Sequence, residues 1–125
     1  MKRILIIEDD RKIAAALAVR LRAAGYQVLE TFDGREGLLS AVLQKPDLII
    51  SDIWMPNPIG FLNQERLCQL GLTDVPVIYI TASQKQDLPQ IAQQEGAAAF
   101  FEKPYNAEEL LDAVERALCE TKMAA

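Results

Sequence analysis

Histidine is missing altogether from the 125 residues. That absence removes Ser-His-Asp and Cys-His catalysis, histidine-ligated zinc and any role as a phosphohistidine carrier. Chemistry in this chain has to come from carboxylates, hydroxyls and amines. Cysteine is scarce as well. Cys68 and Cys119 stand in no CxxC or metal-like spacing and read as free, buried thiols. No apolar run is long enough to cross a membrane. The run after the basic start "MKR" stops at Ile7 and turns acidic, so it does not read as a signal peptide, and the expected compartment is the cytoplasm. Positive charge is in deficit, with 13 Lys and Arg against 18 Asp and Glu and a formal net charge of −5. A nucleic-acid surface needs clustered cations, so none is expected. A phosphate-binding glycine loop is also lacking: acids follow the first apolar run where the glycines of a nucleotide site would stand.

What is present is a core. Half of the residues are apolar, enough for a single domain over 1–125, with its core over 4–118 and a tail over 119–125. Short apolar runs alternate with helical patterns. The runs are Ile4–Ile7, "YQVLET", "DLIIS", "VPVIYIT" and "AAFFE". Between and after them the spacing predicts five helices. The first starts near Asp10 and carries Ile13, Leu17 and Leu21 on one face. The second follows the Asp33-Gly34 turn, has Leu38, Leu39, Val42 and Leu43 facing inward, and closes at Pro46. The third and fourth run from about 60 to 70 and from about 87 to 95. The fifth is capped by Asn106 with Glu109 three residues on. Continuous apolar strands joined by helices predict a doubly wound α/β domain with a parallel sheet.

In such sheets ligands bind beyond the carboxyl ends of the strands. Four of the five expected strands deliver a functional group there. Glu8, Asp9 and Asp10 follow the first, Asp52 the third, Thr81 ends the fourth, and Lys103 with Pro104 follows the fifth. Adjacent carboxylates repel and raise one another's pKa. A hard cation with open positions would offset that repulsion, and oxygen ligands of this kind suit Mg²⁺. An ammonium and a hydroxyl opposite the metal suit a phosphoryl group. Asp52 is the lone carboxylate placed to take it covalently, and Asp10 reads as a helix N-cap rather than a ligand.

Taken in order, "ILIIEDD", "PDLIISDIWMP" with Gly60 following, "VPVIYITA" and "GAAAFFEKPYNAEEL" resemble the receiver domains of response regulators in two-component signalling, the CheY-like family. The resemblance runs from Ile4 to Leu118. It implies a flavodoxin-like strand order of 2-1-3-4-5 and a phosphorelay function rather than an enzyme acting on other molecules. It implies Asp52 as phosphoacceptor, and Mg²⁺ held by Asp52, by Asp9, by Glu8 through water and by the backbone carbonyl of Trp54. It further implies Thr81 and Lys103 on the phosphoryl group, Pro104 after a cis peptide bond, and Phe100 as the aromatic that moves with Thr81. The donor would be a sensor histidine kinase or a histidine phosphotransfer protein. The output partner or effector domain is unnamed by the sequence, and the surface that switches would be the fourth helix, fifth strand and fifth helix. Phe100 lacks the hydroxyl of the tyrosine common in the family. Ala98 and Ala99 replace the acids that help pair family members across that surface. Trp54 and Ser83 point to slow loss of the phosphoryl group. Two other readings stand beside this one. A degenerate receiver acting as a phosphorylation-independent binding module would be expected to have lost Asp9, Asp52 or Lys103. A Mg²⁺-dependent aspartyl phosphatase would carry a second acid at the position of Trp54.

Overall fold

The computed structural model describes residues 1–52, 69–72, 74–81 and 97–124. Five strands form one parallel sheet: β1 (Arg3–Ile7), β2 (Gln27–Thr31), β3 (Leu48–Asp52), β4 (Val77–Thr81) and β5 (Ala99–Glu102). Their order across the sheet is β2-β1-β3-β4-β5, as the family resemblance implies. Three helices lie within the described residues: α1 (Arg11–Ala23), α2 (Gly34–Gln44) and α3 (Ala107–Ala124). The sequence reading expected five. The spans expected for the other two fall outside the described residues, apart from the helical Gln69 and the turn at Leu70. The C-terminal helix α3 continues through Ala124, past the point where the sequence reading placed a tail, and its Cys119 is exposed rather than buried as expected, while Cys68 lies outside the described residues.

Side chains alternate between the two faces of the sheet. Ile4, Ile6, Leu48, Ile50, Ile78 and Ile80 face one way and pack with Leu17 and Leu21 of α1 and Leu110 and Val114 of α3. Leu5, Ile7, Ile49, Val77 and Tyr79 face the other way and pack with Ala41 of α2 and with Leu72. Ile4, Leu5, Ile6, Leu48, Ile49 and Ile78 are completely buried. Each such side chain contributes about 1.5–3 kcal/mol on leaving water. The sheet is therefore the rigid part that carries the site.

Local sequence sets the helix ends. The Asp10 carboxylate accepts from the backbone N–H of Lys12 and Ile13, and so caps α1. Asp33 accepts from Glu36 N–H at the start of α2, and Asn106 accepts from Glu108 and Glu109 N–H at the start of α3. Gly25 follows the last turn of α1 at φ +98°, a conformation that glycine adopts without the steric cost of a Cβ.

The face of α2 is a correction. Leu38, Leu39, Val42 and Leu43 were expected inward; Leu38, half-buried, does pack on the Leu5 and Ile7 side of the sheet, but Leu39, Val42 and Leu43 are exposed. The helix turns Gly37 and Ala41 to the sheet instead. Its approach is too close for larger residues. A Cβ on Gly37 would lie 2.5 Å from both Cδ1 and Cγ1 of Ile7. Two predictions follow from that geometry. Gly37→Ala gains helix propensity worth about 1 kcal/mol but overpacks Ile7, so chemical denaturation is expected to show a net loss of about 1–2 kcal/mol, partly recovered by adding Ile7→Val. Leu43→Gln is expected to move stability by less than about 0.5 kcal/mol.

Candidate functional site

The parallel register brings the strand ends to one edge. Ile7 of β1 pairs with Ser51 of β3, Asp52 pairs with Ile80 of β4, and Thr81 pairs with Glu102 of β5. Glu8, Asp52, Thr81 and Lys103 each sit at the carboxyl end of their strand or one residue beyond it. Glu8 is fixed by its own backbone, which donates to the Thr31 carbonyl at 3.0 Å. Thr31 is buried and donates its hydroxyl to the Ile6 carbonyl at 2.7 Å, which ties β2 to β1 just below the acids. The Lys103 N–H donates to the Thr81 carbonyl at 2.7 Å, and the Lys103–Pro104 peptide is cis.

Carboxylate oxygens of Glu8, Asp9 and Asp52 lie within 4.8 Å of one another, close enough to share one metal ion. Glu8 is buried, Asp52 half-buried and Asp9 exposed. Lys103 reaches into the group from β5. Its ammonium forms a hydrogen-bonded ion pair with one oxygen of Glu8 and lies 3.5 Å from Asp52 Oδ2. The second oxygen of Glu8 accepts from Asp10 N–H at 3.3 Å. Both oxygens of Glu8 thus have donors from the protein, whereas Asp9 and Asp52 share the remaining field of one lysine.

The charges respond accordingly. Burial is the largest cause that pushes Asp52 up to about 8, helped by its hydrogen bond and charge contact with Glu8, while Lys103 works in the opposite sense. Asp9 is held below the usual carboxylate range, first by its hydrogen bond with Glu8 and then by Asp52 and Lys103, against the effect of burial. Burial alone would pull Lys103 down. The hydrogen bond to Glu8 and the charges of Asp52 and Glu8 outweigh it, and Lys103 ends above its ordinary value. Such a site stores repulsion that a divalent cation relieves.

Thr81 is fully buried at the end of β4. By alternation it shares the α2 side of the sheet with Val77 and Tyr79. Phe100 pairs with Tyr79 and packs on that same side, while Phe101 packs on the other. Both phenylalanines are half-buried, one on each face. The expected ligand Trp54 lies outside the described residues, as does Ser83, so the expectation of slow phosphoryl loss does too. One neighbour of the site was not foreseen. The Arg11 guanidinium stacks 4.0 Å from the centroid of the Phe32 ring, just beyond β2. The signal available was only that Phe32 stands at the carboxyl end of the second strand.

The family model described as the response regulator receiver domain matches residues 4–115. The chain is 36% identical over 118 residues to the transcriptional regulatory protein PdtaR of Mycobacterium tuberculosis, covering 94% of this chain and 57% of that protein. It is 32% identical over 119 residues to the protein PilH of Pseudomonas aeruginosa, covering 94% of this chain and 98% of that one. The crystal structure of a CheY-like response regulator receiver domain protein from Methanospirillum hungatei superposes with a TM-score of 0.86 at 27% identity, covering 100% of this chain and 99% of that one. Among the curated relatives are several, PdtaR included, of whose length this chain spans only about half.

The raised Asp52 makes a pH-dependent prediction. A carboxyl whose folded pKa lies above its unfolded value of 3.8 stabilises the fold fully below about pH 4, and that contribution is lost as pH rises towards 8. In metal-free protein, Asp52→Asn is therefore expected to be stabilising at pH 8, by on the order of 1–2 kcal/mol or about 4–8 °C in thermal midpoint. The gain should shrink towards pH 5. A melting series across pH with a chelator present checks both the sign and the trend.

Proposed function

The chain belongs to the receiver domain family of response regulators, and on that premise we propose that Asp52 is its phosphoryl acceptor. Receiver domains serve two-component signalling; they are signalling proteins rather than classical enzymes, and they work with histidine kinases or histidine phosphotransfer proteins. The observation that carries the assignment to Asp52 is its position. It is grouped with Glu8 and Asp9 within 4.8 Å and faces the Lys103 ammonium at 3.5 Å. That is one nucleophile flanked by a metal-competent acid pair and one cation.

In this reading an Asp52 oxygen attacks phosphorus, a new P–O bond forms, and the P–N bond of a partner's phosphohistidine breaks. The imidazole must come from the partner, since this chain has none. Asp9 and Asp52 would hold Mg²⁺ directly, Glu8 through water, and the Trp54 carbonyl would complete the set. When bound, Mg²⁺ supplies charge neutralisation on the transferred oxygens. Lys103 pairs with a phosphoryl oxygen and Thr81 donates its hydroxyl to another. The product adds about −1.5 to −2 charges at a half-buried point. Thr81 and Phe100 share one face of the sheet, so a shift of Thr81 towards the phosphoryl group opens space on the side where Phe100 packs. The expected consequence is a population shift in the surface around β5 and the C-terminal helix. Asp9, Asp52 and Lys103 are all retained, which disfavours a degenerate binding module. Trp54 in place of a second acid disfavours a phosphatase.

Intact-mass spectrometry with a small phosphodonor tests the assignment. One phosphoryl group should add to the wild type with Mg²⁺, and none with a chelator or in Asp52→Asn. Unchanged uptake in Asp52→Asn would overturn it. Lys103→Gln is expected to slow uptake on the order of 100-fold. At limiting Mg²⁺ the rate should rise with pH towards 8, because the attacking group is the ionised carboxylate, and saturating Mg²⁺ should move that rise to lower pH. Thr81→Ala should still accept the group but lose the accompanying change in the Phe100 ring signals by NMR.

A further inference from the structure

The amino ends of the strands, away from the acids, carry a cavity of about 270 Å³. It is walled from both layers of the fold. Leu118 comes from the core on the α1 side of the sheet, and Leu72 and Val75 come from the core on the α2 side. Pro46, which is buried, completes an apolar wall. The charged part of the lining is Lys2 just before β1, Lys45 just after α2, Asp47 just before β3, and Asp74 ahead of β4. Two cations and two carboxylates thus share one cavity, yet none of the four enters an ion pair among the described residues. Two of them are held in place by the backbone. Asp47 donates its N–H to the Arg3 carbonyl at 2.8 Å and accepts from Arg3 N–H on Oδ2, also at 2.8 Å. That leaves Oδ1 without a donor among the described residues. Lys45 caps α2 at φ +47°, the one residue other than glycine with a positive φ among the described residues. Glycine is the usual residue at such a position because it avoids the clash of a Cβ. The chain places a lysine there instead, at the wall of the cavity.

We propose that this cavity binds a small zwitterion with an apolar body, of the class of free α-amino acids with large side chains. The volume holds about nine waters. It falls just below the ~300–1,000 Å³ of drug-sized sites, which sets the ligand at about a dozen non-hydrogen atoms. Charge decides the class. A plain anion would pair with Lys2 and Lys45 but face Asp47 and Asp74 as well, and a plain cation would meet the reverse. A zwitterion satisfies both pairs: its carboxylate takes the two ammonium groups, and its ammonium takes Asp47 Oδ1 and Asp74. Its side chain then covers Leu72, Val75 and Leu118, with Pro46 beside them. A ligand of that size gives a dissociation constant of about 1 mM. The site is thus matched to an abundant metabolite rather than to a tightly held cofactor. Because the walls come from both layers, an occupant ties the C-terminal helix to the segment that leads into β4, and it stabilises the fold by mass action.

Titration of the isotope-labelled chain with L-phenylalanine, followed by NMR, tests this without reference to the phosphoryl site. Saturable shifts are expected for the amides of Lys2, Asp47, Leu72 and Leu118, with those of Asp9 and Asp52 unmoved. Hydrocinnamate, which lacks the ammonium, and phenethylamine, which lacks the carboxylate, should each bind about 10-fold more weakly. Lys45→Asn removes a cation at a position whose conformation asparagine tolerates. Asp47→Asn removes a charge and keeps the oxygen that accepts from Arg3. Each substitution should weaken phenylalanine binding about 10-fold and leave the ligand-free melt unchanged. No saturable shift by about 10 mM phenylalanine, equal binding of either analogue, or indifference to both substitutions overturns the proposal.

Discussion

One lysine faces three carboxylates at the end of a buried strand. Everything else in the molecule is arranged so that this imbalance persists. Lys103 pairs with Glu8, which is anchored on both oxygens, and lies at 3.5 Å from Asp52 without neutralising it. The Asp52 carboxyl stays pushed up to about 8, first because it is desolvated and then because Glu8 lies against it. Free in solution, such a cluster would spread apart or fill with counterions. Here the sheet prevents that, because β1, β3, β4 and β5 are hydrogen-bonded in turn into a fixed register whose apolar residues cannot be exposed without loss of the core. The fold supplies the work of holding like charges together, and a divalent cation would change the balance most where it has been left incomplete.

Much of this was legible in the sequence because strands buried on both faces advertise themselves as unbroken apolar runs. Once five such runs are placed in parallel, the residue after each one is located as well. Glu8, Asp9, Asp52, Thr81 and Lys103 were found that way, before any contact between them was known. Capping was equally readable, since Asp10 and Asn106 carry the short polar side chains that helix starts require.

Helix α2 was not readable by the same logic. Counting leucines assigns the inward face to Leu39, Val42 and Leu43, but hydrophobicity says nothing about how near a helix axis lies to the sheet. At the separation observed, Gly37 fits over Ile7 because it has no Cβ, Ala41 is the other residue of the helix that is fully buried, and Leu39, Val42 and Leu43 turn outward. The pairing of Glu8 with Lys103 was hidden for a different reason. Sequence spacing brings residues to an edge, but which acid takes the single cation depends on burial and on the second donor from Asp10 N–H. Arg11 over Phe32 likewise joins the first residue of α1 to the residue just past β2, a proximity that no local pattern encodes.

The contact between Gly37 and Ile7 reaches beyond packing. Ile7 is the last residue of β1, and Glu8 and Asp9 follow it directly. With no Cβ between helix and strand, α2 is seated against the strand like a bearing against a shaft, with no play at the point where the acids begin. Slack introduced there would be transmitted to the carboxylates as positional noise. The precision with which this domain presents its acids is therefore set partly by the smallest side chain in a helix that carries none of them.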